Sequence, residues 1–106
     1  MNTPVEAAVA SGTDDVWLLR LYIAGQSPRS LAALSNLYGF CELHLSGRYE
    51  IETVDLVQHP ERAADDDILA IPTLVRRQPQ PTRTIIGDLS EPESLRTSLQ
   101  LRPLVA

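Results

Sequence analysis

The sequence predicts an α/β protein with a mixed central sheet and the element order β-α-β-α-β-β-α, and three observations lead to this prediction. The run Val16–Ala24 is almost wholly apolar and rich in β-branched and aromatic residues, as in a strand buried on both faces. A helical repeat of apolar residues follows, and a second strand-like segment begins at Tyr49. A strand, a crossover helix and a strand in that order predict a right-handed parallel unit.

The first helix is predicted from a capping signal and a repeat. Gly25 ends the first strand, and Ser27-Pro28 places a capping residue before a proline at the first helical position. Apolar residues then recur three and four positions apart, which predicts a helix of about 18 residues that is closed by Gly47. The predicted buried face consists of Leu31, Leu34, Tyr38, Cys41 and Leu45.

The second half of the chain is predicted mainly from its prolines. Apolar and polar residues alternate over Tyr49–Val57, which predicts a strand, and Pro60 is placed to begin a short helix. Thr73–Arg76 and Arg83–Ile86 flank a turn with two prolines and are expected to pair as a hairpin.

The last helix is expected to begin with a capping box. Gly87-Asp88 breaks the chain, Ser90 can cap, and Glu93 stands where a capping box requires it. The apolar side of this helix would consist of Leu95, Leu99 and Leu101.

Length and composition indicate one domain of an ordinary globular protein. Of the 106 residues, 43% are hydrophobic and 22% are charged. We expect residues 1–14 to form a flexible tail and residues 15–103 to form the folded domain. The longest apolar stretch is far shorter than the roughly 20 residues that span a bilayer, and no export signal is visible. A cytoplasmic location without a membrane partner is therefore expected.

The charge distribution argues against a nucleic-acid partner. The formal net charge is −5, the pI is about 4.8, and all nine basic residues other than histidine are arginines. Phosphate binding requires a clustered basic excess, which this sequence lacks. Scattered arginines suit bidentate pairs with carboxylates on a surface or at an interface.

Several segments together resemble the KaiB family of thioredoxin-like proteins over about residues 16–101. A strand that ends in Asp, a short helix with proline at its start and an Ile-Pro-Thr sequence recur together in thioredoxins. The segments closest to the KaiB pattern are LRLYIAG (Leu19–Gly25), Ser27-Pro-x-Ser30, Val54–Pro60, ILAIPTL (Ile68–Leu74) and IIGDLS (Ile85–Ser90).

The resemblance implies a fold, a function and partners. It implies a thioredoxin-like domain in which the bond before Pro72 is a structural cis-proline bond. It also implies binding to a KaiC-like hexameric ATPase in a circadian clock or related signalling system, with KaiA-like proteins or histidine kinases as further partners. Family members can switch fold, and the alternative is a resting form that is tetrameric and rearranged from about Glu50 onward.

Two departures from the family pattern refine these expectations. Asp67 stands where the clock proteins have a basic residue, and the chain ends in Leu-Val-Ala after Pro103 where they have an acidic tail. We therefore expect a thioredoxin-like ground state that is mostly monomeric, with a partner other than a classical KaiC and some self-association as open alternatives.

The sequence does not predict an enzyme, a cofactor or a metal site. Thioredoxin chemistry needs two thiols at the start of the first helix, and the lone Cys41 is interpreted as a small core residue. His44 and His59 lie in different elements, and we interpret Asp65–Asp67 as a solvated face and Asp88 as a turn residue. A degenerate thioredoxin-like enzyme that uses Cys41 with glutathione, or a small structural or chaperone-like subunit, remain alternatives.

Four residues are predicted to contact a partner. Arg29 is expected to be exposed at a helix start, and Arg76 and Arg77 are expected to lie at an exposed strand edge. Asp67 is included because it replaces the basic residue of the family.

Overall fold

Four strands form one mixed sheet in the computed structural model, which describes residues 16–100. They are β1 (Trp17–Ile23), β2 (Tyr49–Asp55), β3 (Thr73–Gln78) and β4 (Arg83–Ile86). Their order in the sheet is β2-β1-β3-β4. β1 pairs with β2 in parallel, whereas β3 is antiparallel to both β1 and β4. The mixed sheet with β1 as a central strand is therefore confirmed.

Three helices complete the predicted element order. They are α1 (Pro28–His44), a short 3-10 helix (Pro60–Asp65) and α2 (Pro92–Ser98). None of these described helices has the length and apolar character needed to cross a membrane. The predicted tail, the predicted boundary at residue 103 and Leu101 lie outside the described residues.

The start of α1 follows its sequence signal. The Ser27 hydroxyl oxygen accepts a hydrogen bond from the backbone N–H of Ser30 at 3.3 Å, and Pro28 takes the first helical position. The side chains of Ser27 and Ser30 are also bonded to each other at 2.8 Å. After the helix, Gly47 adopts a φ of 74°, which a residue without a Cβ adopts at no steric cost.

The predicted buried face of α1 is partly wrong. Leu31 and Tyr38 are 50% and 44% exposed, although both belong to the apolar repeat. The helix buries a neighbouring set of positions instead, which includes the small residues Ser30 and Ala33. The buried positions are Ser30, Ala33, Leu37, Phe40 and Cys41.

The sheet has a thickly covered face and a thinly covered one. The larger core cluster lies between the sheet and the two α-helices and includes Leu19, Leu21, Leu37 and Leu95. The smaller cluster, on the other face, consists of Tyr22, Val54 and Val75, with Leu56 and Ile68 packed against it. We call this second side the open face, because among residues 16–100 only the 3-10 helix and the segment after it cover part of it.

The predicted capping box of α2 is wrong. The N-cap residue is Glu91, its side chain makes no capping hydrogen bond, and Pro92 takes the first helical position. Glu93 is therefore one position too early in the helix for a capping box, and its carboxylate pairs with Arg96 instead. Asp88 is a turn residue as expected, since its Oδ1 accepts a hydrogen bond from the backbone N–H of Ser90 at 3.2 Å.

The hairpin consists of the two predicted strands, and its first strand is longer than predicted. β3 continues two residues beyond Arg76, to Gln78. The peptide bonds before Pro72, Pro79 and Pro81 are cis.

Candidate functional site

Charged side chains gather on the open face of the sheet. Successive residues of a strand point to opposite faces, so the apolar side chains of Leu19 and Leu21 enter the larger core while Arg20 and Tyr22 reach the open face. The parallel register places Glu52 of β2 beside Arg20. We define the charged network as Arg20, Glu52, Arg62, Asp65, Asp66 and Arg77.

Asp66 is the centre of this network. Its side chain is only 11% exposed and accepts hydrogen bonds from three groups. Oδ2 accepts hydrogen bonds from the Tyr22 hydroxyl at 2.5 Å and from Arg20 Nη1 at 3.1 Å. Oδ1 accepts one from Arg77 Nη1 at 2.9 Å. The carboxylate thus joins two neighbouring strands to the residue that follows the 3-10 helix.

A second set of ion pairs joins the 3-10 helix to the edge strand β2. The Glu52 carboxylate accepts hydrogen bonds from Arg20 Nε at 2.8 Å and from Arg62 Nη2 at 3.3 Å. Arg62 also contacts Asp65 Oδ2 through Nε at 3.0 Å. The three guanidinium groups of the network face three carboxylates, so their charges balance on this face.

The pKa shifts of the network residues favour the ionisation states that their ion pairs and hydrogen bonds require. The hydrogen bond from Arg20 lowers the pKa of Glu52 and outweighs the opposing effect of burial. The pKa of Arg20 is raised, chiefly by its hydrogen bond to Tyr22 and also by Glu52. Burial, followed by the hydrogen bond to Asp66, raises the pKa of Tyr22 and keeps its hydroxyl protonated. At neutral pH these groups therefore hold the charges that their contacts require.

Two of the predicted partner-binding residues lie at this surface. Arg77 belongs to the network and its side chain is 43% exposed. Asp67 follows Asp66 directly, is exposed and has a φ of 53°. The network also shows that Asp65–Asp67 is not uniformly solvated, because Asp66 is nearly buried between cationic partners.

Arg76 is buried, so the prediction that it is exposed at a sheet edge is wrong. Its strand β3 lies between β1 and β4, and the residue is 2% exposed. The guanidinium lies 5.1 Å from the ring centroid of Trp17 and donates to the carbonyl oxygens of Leu99 and Pro81. Burial, and to a lesser extent the charge of Arg83, lowers the pKa of Arg76. We therefore assign Arg76 to the packing of α2 and the hairpin.

Arg29 is exposed as predicted, but it lies away from the charged network. It lines a shallow pocket with residues 85–91 and two residues of α2, none of which belongs to the network. Arg29 Nη2 lies 4.0 Å from the position that a Cβ on Gly87 would occupy. The structure therefore does not bring the four predicted contact residues together.

Sequence reasoning missed Arg20, Tyr22 and Glu52 as members of one site. The available signal was the single charge within the apolar run of β1, followed two positions later by a tyrosine on the same face. The partners of Arg20 could not be read locally, since Asp66 is 46 positions away along the chain.

The structure agrees with the core interpretation of Cys41. The residue is fully buried in the larger core, and burial raises the pKa of its thiol to about 12. His44 is half-buried, with its ring centroid 4.3 Å from that of Phe40. Within residues 16–100, no group of three or more histidine, cysteine or acidic side chains is placed to hold a metal ion.

Asp55 shows how the end of β2 is fixed beside the start of α1. Its Oδ1 accepts backbone hydrogen bonds from Gly25 and Val57, both at 2.9 Å. These bonds, with that from Gly25 as the largest cause, lower the pKa of Asp55.

Solved structures with the same architecture define the class of this domain. The N-terminal domain of SasA from Synechococcus elongatus matches with a TM-score of 0.68 at 12% identity and covers 95% of this chain and 99% of its own. Mitochondrial thioredoxin 3 from Saccharomyces cerevisiae matches with a TM-score of 0.64 at 17% identity, over 81% of this chain and 78% of its own. At these identities the likeness concerns the fold, and the domain is thioredoxin-like.

Sequence comparison then identifies the family. Residues 20–101 match the model of the KaiB domain. The chain is 40% identical over 86 residues to the circadian clock protein KaiB3 of Synechocystis, covering 81% of this chain and 84% of that relative. It is 41% identical over 85 residues to the circadian clock oscillator protein KaiB of Synechococcus elongatus, covering 80% and 83%. The chain belongs to the KaiB family.

Neutralising Asp66 is expected to destabilise the domain. In the Asp66→Asn variant, Arg20 and Arg77 lose their shared anion, and we expect the free energy of unfolding to fall by about 1–3 kcal/mol. Urea unfolding followed by circular dichroism measures this change. Asp67→Asn is the matched control, because Asp67 is exposed and asparagine tolerates a positive φ, and its effect should stay within about 0.5 kcal/mol. Equal effects of the two substitutions would contradict the assigned role of Asp66.

Cys41 is expected to react slowly in the native protein. At pH 8, a thiol with a pKa of about 12 has a thiolate fraction at least about 100-fold below that of an exposed cysteine. Iodoacetamide should therefore label the native chain at least about 100-fold more slowly than the chain in urea. Because the folded pKa is raised, this group should favour the folded state fully below pH 8 and progressively less as pH rises toward 12. Native labelling as fast as denatured labelling would contradict the burial of the thiol.

Proposed function

We propose that this chain is a non-catalytic regulatory binding module of a KaiB-type circadian clock or a related signalling system, acting in the cytoplasm. Its proposed partner is a KaiC-like hexameric ATPase. The observation that carries the proposal is the match to the KaiB domain over residues 20–101, together with relatives named as circadian clock proteins.

The absence of thiol chemistry at the described site supports a binding role. In thioredoxins the reactive thiols stand at the start of the first helix, where this chain has Gly25–Ser30 without cysteine. Cys41 is buried further along α1, and its high pKa suppresses the thiolate that nucleophilic chemistry requires. These facts oppose the alternative of a redox or glutathione-using enzyme.

The charged network on the open face is the surface that we assign to the ATPase. Its side chains are held in place by several hydrogen bonds, so little conformational entropy is lost when a partner docks there. The side chain of Arg77 is 43% exposed, and that of Glu52 is 49% exposed. Arginine at such a position is a common source of binding energy at protein interfaces.

The test is complex formation with the KaiC-type ATPase of the source organism. We expect a complex whose stability differs between ATP and ADP, measured by sedimentation velocity and biolayer interferometry. Arg77→Ala should weaken the complex by about tenfold without unfolding the domain, because Arg20 and Tyr22 still hold Asp66.

Arg96→Ala is the matched control for this test. Arg96 is also an arginine in an ion pair, with Glu93, but it lies on α2 at the other face of the sheet. Its substitution should leave affinity within about twofold. The absence of any nucleotide-dependent complex would overturn the proposed partner, whereas a complex unaffected by Arg77→Ala would overturn only the assigned surface.

We further propose that the thioredoxin-like form is the ground state and the binding-competent state. Support comes from local agreement between sequence and fold in the second half of the chain, where β2, the proline-started 3-10 helix and the hairpin follow sequence signals. The alternative is the rearranged tetramer that the family resemblance implies.

Backbone chemical shifts across residues 50–100 distinguish the two forms. We expect strand shifts at Arg83–Ile86 and helical shifts at Pro92–Ser98, in a species that sediments mainly as a monomer. Helical shifts at Arg83–Ile86 in a tetramer would show that the rearranged form is the ground state, and binding would then require a switch of fold.

A further inference from the structure

An apolar groove lies at the end of the 3-10 helix, outside the charged network. It has a volume of about 390 Å³ and an open mouth. We call it the Leu69 groove, and its lining includes Leu56, Pro60, Ala63, Ile68, Leu69 and Ile71.

Two large apolar side chains of this groove are unusually exposed to solvent. Leu69 is 95% exposed and Ile71 is 38% exposed. Leaving a leucine in water forgoes about 1.5–3 kcal/mol of burial free energy, and a contiguous apolar patch is the common mark of an interaction site. The neighbouring Leu56 and Ile68 are half-buried and pack against the smaller core, so the exposed residues adjoin the apolar core.

Three hydrogen bonds to backbone carbonyl oxygens fix the shape of the groove. Ile68 N–H donates to the carbonyl oxygen of Ala63 at 2.8 Å, and the Thr73 hydroxyl donates to that of Ala70 at 2.7 Å. Leu56 N–H donates to the carbonyl oxygen of Ile23 at 2.9 Å. Leu69 is therefore held outward by a formed scaffold, and a preformed site loses little entropy on binding.

Two exposed acidic residues are sequence neighbours of residues that line the groove. Glu61 lies between Pro60 and Ala63, its side chain is 71% exposed, and its Oε2 lies 3.7 Å from His59 Nδ1. Asp67 is exposed and directly precedes Ile68. The nearest arginine in sequence, Arg62, is directed to Glu52 and Asp65 by its ion pairs. No arginine is among the residues that line the groove.

We propose that the Leu69 groove binds a protein segment that carries an apolar anchor flanked by lysine or arginine. The anchor would cover Leu69 and Ile71, and the basic residues would face Glu61 and Asp67. A second copy of this chain fits less well, since it brings the same acidic groove and a net charge of −5. An anionic membrane surface is disfavoured for the same electrostatic reason.

The test uses the ¹⁵N-labelled full chain and two amphipathic helical peptides of opposite charge. The first peptide consists of leucine and lysine, and the second consists of leucine and glutamate. Titration with the first should shift amide resonances within residues 56–71, whereas the second should leave them unchanged. Leu69→Ser should weaken binding of the first peptide by about tenfold.

The matched control is Leu43→Ser, which removes another exposed leucine, 65% exposed on α1. It should leave the affinity for the leucine-lysine peptide within about twofold. Equal losses in the two variants, equal binding of the two peptides, or shifts centred outside residues 56–71 would overturn the proposal. Shifts at the groove that depend on chain concentration alone, or that phosphatidylglycerol vesicles produce, would overturn it in favour of self-association or membrane contact.

This test is independent of the ATPase complex. It needs no nucleotide and no clock partner, and it concerns residues outside the charged network. Failure of the Leu69 groove to bind therefore leaves the function assigned to Arg77 in place, and failure of the ATPase complex leaves the groove in place.

Discussion

The carboxylate of Asp66 is the interaction on which the open face depends. A charge that is nearly buried is tolerable only when it is paired and hydrogen-bonded, and Asp66 meets this condition through two arginines and a tyrosine from two strands. The segment after the 3-10 helix is thereby tied to the centre of the sheet. Arg77 is bonded to this carboxylate, and Ile68, two residues further along the chain, packs against the smaller core.

Because the network balances three cations with three anions, the acidic excess of the protein lies elsewhere. The formal charge of −5 arises from residues outside the charged network. A partner that docks on the network therefore meets a nearly neutral surface whose donors and acceptors have fixed directions. Recognition there depends on hydrogen-bond geometry, whereas long-range attraction comes from the rest of the molecule.

The sequence was informative where structure is decided locally. Strand positions followed from apolar runs bounded by glycine and proline, and the cap at Ser27 followed from its neighbours. The buried face of α1 was misassigned because the apolar repeat placed the large residues Leu31 and Tyr38 on it, whereas Ser30 and Ala33 are buried and those two are exposed. The site was visible only in part, because Asp66, which holds Arg20, lies 46 positions away along the chain.

The buried position of Arg76 has a consequence for how the C-terminal half opens. One guanidinium holds the carbonyl group at the end of α2, the carbonyl group of Pro81 in the hairpin turn and the ring of Trp17 at the start of β1. Detaching α2 exposes this cation and removes an acceptor from it, so the hairpin loses support at the same moment. The hairpin and the last helix therefore behave as one cooperative unit, and their amide protons should share a common opening free energy in hydrogen exchange.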